Sequence, residues 1–209
     1  MAQDSKRDLY QNWTRAVATP DGWCFVIPNT SNTTSYGYLY NHQITSDKNA
    51  KENFENLFNV EATDQFKFNQ YVAKKPIIDD RIILNGNKLF FLEPLEATAI
   101  GCYLNWLRLT WDWIMEGTKT ATEISDDLHG YIAEVNNFIT WHYQYGSKYN
   151  TPFWKAAKKI TFKDSAFDDT LARAKQFSLA DLLKEGDVDE YGQWSSWNFK
   201  YWNDGMTKD

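Results

Sequence analysis

The densest group of reactive side chains lies in Phe91-Leu92-Glu93-Pro94-Leu95-Glu96-Ala97-Thr98-Ala99-Ile100. Pro94 suits the first turn of a helix, where its missing N–H costs nothing, and the pattern predicts a helix from there to about Glu116, stopped by Gly117. A helix N-terminus presents unpaired N–H groups and positive dipole density, and it can bind an anion with no charged side chain. Ala97 and Ala99 are small enough for a ligand to approach the backbone, and Thr98 adds a hydroxyl donor. Glu93 and Glu96, three residues apart, are expected near one another on the helix surface. A partly buried carboxylate there could act as a base or orient a reagent. The same residues also fit an ordinary first turn whose acids suit the dipole.

The second group is the ring-dense end from Tyr191 to Gly205, which includes Trp194, Trp197, Phe199, Tyr201 and Trp202. Rings at such positions can hold a flat ligand by stacking, or simply pack a terminal helix onto the core. His42, His129 and His142 show no metal-ligand spacing, and His142 falls on the apolar face of a predicted helix. Cys24 and Cys102 form neither a disulfide framework nor a Cys-x-x-Cys site.

The elements that must position these groups follow from turn and capping signals. A short helix is predicted over 5–19, ending before Pro20-Asp21-Gly22. Trp23 to Ile27, ended by Pro28, and Ser35 to Tyr40 read as a β-hairpin with a longish loop. Ser46-Asp47 can cap a helix over about 47–59. Residues 66–73 and 80–85 are short strand candidates, and further helices are predicted over 119–146, from Thr151-Pro152, over 166–177 and over 178–184. The stretch 185–193 is acidic and turn-like. Neither an internal repeat nor a Gly/Ser/Pro-rich linker divides the chain, so 1–209 is expected as a single unit of mixed α and β structure, strands first and mostly helical afterwards.

Composition narrows the function classes. With 209 residues there is enough chain for a sizeable core. Aromatic residues make up 17% of it, which suits a ring-packed core or a pocket for a flat or sugar-like ligand. A formal net charge of -6 argues against non-specific nucleic-acid binding. The longest apolar stretch, Leu89 to Met115, is interrupted by charged residues and is read as a buried helix, not a membrane span. No apolar signal region follows the first residues, so a soluble cytoplasmic protein is expected.

The decamer at 91–100 resembles the Phe-Leu-Glu-Pro-Leu-Glu-Ser-Thr-Gly-Ile signature of flavin-dependent tryptophan halogenases. Gly22-Trp23-Cys24-Phe25-Val26-Ile27-Pro28 resembles that family's Trp-x-Trp-x-Ile-Pro block. Ser46-Asp47 after a Tyr-rich strand, and Asn137-Phe138-Ile139 through Thr151-Pro152-Phe153-Trp154, resemble its later segments in the same order. The resemblance implies the C-terminal, substrate-side half of an FAD-dependent monooxygenase-like fold. It also implies an activity in which reduced FAD and oxygen oxidise a halide, with no metal. The hypohalous acid then passes through a tunnel to an electron-rich aromatic, typically the indole of tryptophan. On this resemblance Glu96 is the catalytic carboxylate and Thr98-Ala99 the halide site. Trp23, Phe25, Ile27 and Pro28 keep substrate from the flavin, and Tyr191 and Trp202 belong to the substrate wall. A flavin reductase is the implied partner.

The departures are as informative. Phe25 replaces the second Trp of its block, Ala97 a Ser and Ala99 a Gly, and Ala99 is expected to narrow the backbone's freedom near the halide. No Gly-x-Gly-x-x-Gly follows a strand, so the dinucleotide-binding βαβ unit is not found in this sequence. None of Lys6, Lys48, Lys67 or Lys88 matches the context of the family's catalytic Lys. The expectation is therefore a partial halogenase domain that shares FAD with an N-terminal halogenase chain. The other open readings are an aromatic-ligand binding module without the chemistry, or a truncated remnant. As a half-enzyme, its strands 23–28 and 35–40 would be exposed edges prone to mispairing.

Overall fold

The computed structural model describes residues 1–4, 13–30, 33–184 and 190–207, with only the backbone of Gln3, Asp4, Glu96 and Thr207. The structure is mixed α/β, about half helical with small sheets, and it divides into two compact units.

The first unit comprises residues 1–67 and 142–161. Its sheet is antiparallel in the order β1-β4-β3-β2, with β1 Ala2–Asp4, β2 Arg15–Thr19, β3 Gly22–Pro28 and β4 Thr34–Tyr40. Two expectations are corrected here. Residues 15–19 form a strand and not the end of a helix, because Arg15 to Thr19 pair with Val26 to Gly22 across a tight turn at Pro20-Asp21; pairing partners override the helix propensity of an Ala-containing segment. The rest of that predicted helix, residues 5–12, lies outside the described residues. In addition, β3 and β4 are the interior strands of the sheet, not its edges.

Alternation along β3 sends Cys24 and Val26 into a core with Ala2 and Phe54, where Val17, Tyr36, Tyr38 and Phe58 join them. Phe54 and Phe58 come from α1 Asp47–Phe58, whose N-cap Ser46 accepts the Asn49 N–H at 3.2 Å, as its sequence predicts. Burial pushes the Cys24 thiol up to about 12, so it stays protonated and inert.

The second unit comprises residues 68–141 and 162–209. It contains two small ladders, β5 Tyr71–Val72 with β8 Phe90–Phe91 and β6 Ile77–Ile78 with β7 Ile82–Ile83. Helices α2 Thr98–Trp111, most of α3 Ala121–Tyr145, α5 Ser165–Gln176, α6 Leu179–Lys184 and α7 Ser196–Thr207 supply the bulk. α3 opens on a capping box in which the Glu123 carboxylate accepts the Thr120 N–H at 2.8 Å and the Glu123 N–H donates to the Thr120 hydroxyl. The short α4 Pro152–Ala157 starts on Pro152, as the Thr151-Pro152 signal predicts. The core of this unit is aromatic: Phe138 stacks on Trp194 with centroids 3.7 Å apart, and Trp141 stacks on Phe199 at 5.4 Å.

Candidate active site

Chain direction changes abruptly in the signature segment. A 3-10 turn spans Leu95–Ala97 with Pro94 ahead of it as the capping residue. Ala97 then adopts the left-handed conformation at φ 52, and only from Thr98 does α2 run, ending in one π-turn over Asp112–Glu116 and a left-handed Gly117. The continuous helix expected from Pro94 is thus broken at Ala97, and Glu93 precedes the turn instead of sharing a helix face with Glu96. Glu93 is buried, as are Leu92 and Leu95. A non-Gly residue in the left-handed region costs about 1 kcal/mol, and such strain concentrates at functional sites.

The break leaves the start of α2 open. Ala97 as N-cap offers no side-chain hydrogen bond, and the Thr98 N–H is spent on the Leu95 carbonyl. The amides of Ala99 and Ile100 sit in the first turn, where a helix has no internal acceptor for them. Beside them the Thr98 side chain is 1% exposed, and among the described residues its Oγ1 has no hydrogen-bond partner. A buried orphan hydroxyl costs about 1–3 kcal/mol, so it calls for an explanation. Its donor and the helix dipole together suit a monatomic anion. Ala99 lies within α2 and is not among the positive-φ residues, so the left-handed position is Ala97, which stands where the family signature has Ser.

In the same unit, Gly101 shows why a glycine stands in the first turns of α2. A Cβ there would lie 1.5 Å from the Gln193 Oε1, so the Gln193 amide rests against the helix backbone. Gln193 was not singled out from sequence; a Gly inside a helical pattern was the signal that could have found it. Gln193 follows Tyr191 and the left-handed Gly192. Tyr191 is 1% exposed, its ring meeting Phe167 and Phe199 edge-on, and its hydroxyl donates to Asp164 Oδ2 at 2.7 Å and accepts from Asn137 Nδ2 at 3.0 Å. The Gly192 N–H donates to Glu134 Oε2 at 2.8 Å. Burial lifts the Asp164 carboxyl, but hydrogen bonds from Tyr191, Phe167, Asn137 and Ala166 outweigh it and hold the group below the usual Asp range. Burial raises Glu134, only partly offset by the Gly192 amide. Trp202, on α7, is half-buried.

In the first unit, Trp23, Phe25 and Ile27 share the sheet face opposite Cys24 and Val26, with Pro28 ending the strand. The Trp23 indole N–H donates to the Tyr143 hydroxyl at 2.7 Å, and its ring meets Phe25 edge-on at 6.2 Å. Phe25 lies across Gly37 of β4, where any Cβ would overlap its ring. Among the described residues, no cluster of His, Cys, Asp or Glu could hold a metal ion, and no helix is long and apolar enough to cross a membrane.

Comparison with known proteins gives this geometry a context. The sequence model of the tryptophan halogenase family matches residues 1–203. The tryptophan 7-halogenase KtzQ of Kutzneria sp. (strain 744) is 22% identical over 174 residues, which is 78% of this chain and 32% of the relative. Tryptophan halogenase from Shewanella frigidimarina superposes with a TM-score of 0.74 at 19% identity, covering 100% of this chain and 41% of that one. The tryptophan 6-halogenase SttH from Streptomyces toxytricini gives 0.72 at 20% identity, covering 95% and 41%. The chain thus spans about a third of the length of the curated relative, and the family-matched stretch runs through both compact units. It belongs to the flavin-dependent tryptophan halogenase family.

Proposed function

We propose that this chain is the substrate-side part of an FADH2-dependent halogenase acting on an indole-like aromatic, tryptophan or a relative, with a monooxygenase-like fold completed by a flavin-holding portion. The observation that carries the proposal is the buried, unpartnered Thr98 hydroxyl at the open start of α2. Thr98 and the amides of Ala99 and Ile100 would hold the halide. Reduced FAD with oxygen supplies the oxidising equivalent that converts halide to hypohalous acid. Glu96, two residues before Thr98, would accept the proton released as the aromatic ring is substituted. Trp23, Phe25, Ile27 and Pro28 would form a wall that keeps substrate from the flavin; the shared face of the three side chains on β3 supports this. On α7, Trp202 would face the substrate, while Tyr191 holds the turn that carries Gln193.

The flavin cradle and the Lys partner of Glu96 would come from an N-terminal halogenase portion, because this sequence holds no Gly-x-Gly-x-x-Gly. A flavin reductase would supply FADH2. The proposed setting is the cytoplasm, which the two free, buried cysteines fit.

Mixing the chain with its flavin-binding portion, a flavin reductase, FAD, NADH, bromide and indoles should give brominated product by mass. Glu96→Gln should lower its rate by about a hundredfold, as for loss of a general base; full activity would remove Glu96 from the reaction. Indole binding with no product from the complete mixture would favour a binding module. The chain alone should bind FAD weakly, and tight binding would overturn the assignment of the cradle elsewhere.

A further inference from the structure

Asn85-Gly86 is the only Asn-Gly pair in the sequence. It lies between β7 and β8 of the second unit, where a 3-10 turn over Gly86–Lys88 begins. Asn85 is exposed and extended, at φ -147 and ψ 166, and Gly86 is left-handed at φ 54. The Gly86 N–H donates to the Asn85 side chain itself, meeting Oδ1 at 2.7 Å. A C=O bond is about 1.2 Å long, so the Gly86 nitrogen is no more than about 3.9 Å from the Asn85 Cγ. Gly86 has no Cβ to shield that nitrogen. A Cβ built there would meet nothing within 4 Å, so the site has room for ring closure and for water. The pair Asp21-Gly22 could close the same ring, but the fold treats it differently. Gly22 is buried, and a Cβ there would lie 1.8 Å from the Leu39 carbonyl oxygen.

We propose that Asn85 is a self-modification site, at which the chain converts this asparagine to isoaspartate and aspartate through a succinimide and thereby loosens the attachment of α2. The step needs water and no other reagent. The Gly86 nitrogen loses its proton and attacks the Asn85 Cγ. The new N–Cγ bond forms as the Cγ–Nδ2 bond breaks, and Nδ2 leaves as ammonia, which carries the proton away. Water then opens the ring. Attack at the main-chain carbonyl carbon of residue 85 gives isoaspartate, and attack at Cγ gives aspartate; nothing is oxidised or reduced. Isoaspartate routes the main chain through Cβ and Cγ, so the link between Leu84 and Gly86 grows by one atom. The residues on either side of that link are both fastened to α2. The Trp106 indole N–H donates to the Leu84 carbonyl at 2.9 Å, and the Tyr103 ring lies against Phe90 with centroids 4.9 Å apart. A longer link between two fixed points puts one of these contacts out of register.

The test stores the full chain in mildly alkaline buffer and follows it by peptide mass mapping and by labelling with an isoaspartyl methyltransferase. The peptide carrying Asn85 should gain about one mass unit at least tenfold faster than the peptide carrying Asn105 of α2. It should also take up methyl label, while the peptide carrying Asp21 should not. A rate at Asn85 no higher than at Asn105, or label at Asp21 equal to that at Asn85, would overturn the proposal. So would a rate in the folded chain more than tenfold below that in urea, since the fold would then protect the site. In Asn85→Ser the hydroxyl keeps an acceptor for the Gly86 N–H but offers no carbonyl to attack, so the peptide should show neither change; label or mass gain that persists there would assign the chemistry to another residue and overturn the proposal. The Leu84 N–H donates to the Pro76 carbonyl at 2.9 Å and reports on the anchored segment. Its hydrogen exchange should be about tenfold faster in aged parent than in aged Asn85→Ser, and equal exchange would overturn the loosening of α2.

Discussion

Two turns of the second unit each lead into a helix, and they are finished in opposite ways. Ahead of α7, almost every polar group has a partner: Tyr191 with Asp164 and Asn137, Gly192 with Glu134, Ser196 with Glu190, and the Ser195 N–H and hydroxyl both on Asn198 Oδ1. Ahead of α2, the capping position is a left-handed Ala97 with no side-chain hydrogen bond, and the buried Thr98 hydroxyl has no hydrogen-bond partner among the described residues. The same local task is thus solved for stability in one place and left open in the other. Unmet polar groups next to strained backbone are what a ligand site requires before its ligand arrives.

The contrast can be broken from the satisfied side first, where the effects are largest. Tyr191→Ala should cost roughly 3–5 kcal/mol in urea unfolding, the range for truncating a fully buried ring; a loss under about 1 kcal/mol would show that the turn is not the anchor described. Asp164→Ala removes the N-cap of α5, which accepts the Ala166 and Phe167 amides, together with the Tyr191 acceptor. It should cost about 2 kcal/mol. Because the folded carboxyl sits below its unfolded value, the Asp164 contribution is present above the ordinary Asp range near about 4 and is lost as pH falls through the depressed folded value. The parent should therefore lose stability in acid more steeply than Asp164→Ala, and parallel profiles would contradict the assignment.

On the open side the effects on folding should be small and can change sign. Ala97→Gly should stabilise by about 1 kcal/mol, since Gly adopts the left-handed conformation without the Cβ penalty; destabilisation would mean that Ala97 is not strained. Thr98→Val should stabilise by about 1 kcal/mol, the low end of the cost of a buried hydroxyl without a partner, because it removes that polar atom at nearly constant volume; clear destabilisation would mean that the hydroxyl has a partner.

Much of the framework was legible in the residues. Ser46, Pro152 and Gly117 announce caps and stops because each acts through its own local geometry. β2 was not legible, since Arg15 to Thr19 become a strand only by pairing with β3, and the interior place of β3 and β4 depends on partners before and after them in the chain. At the site, the residue types at 96–99 suggested anion chemistry. The break at Ala97, the burial of Glu93, and Gln193 lying against Gly101 are tertiary facts with weak or no local sequence signal. The isolation of the Thr98 hydroxyl is likewise visible only once its neighbours are in place.

The central claim is that the start of α2 binds halide, and amide hydrogen exchange during a bromide titration tests it most directly. Bromide should slow exchange at the Ala99 and Ile100 amides of the parent, leave the start of α7 unchanged, and lose its effect in Thr98→Val. An equal bromide effect in parent and Thr98→Val, or none at Ala99 and Ile100 in the parent, would contradict the account.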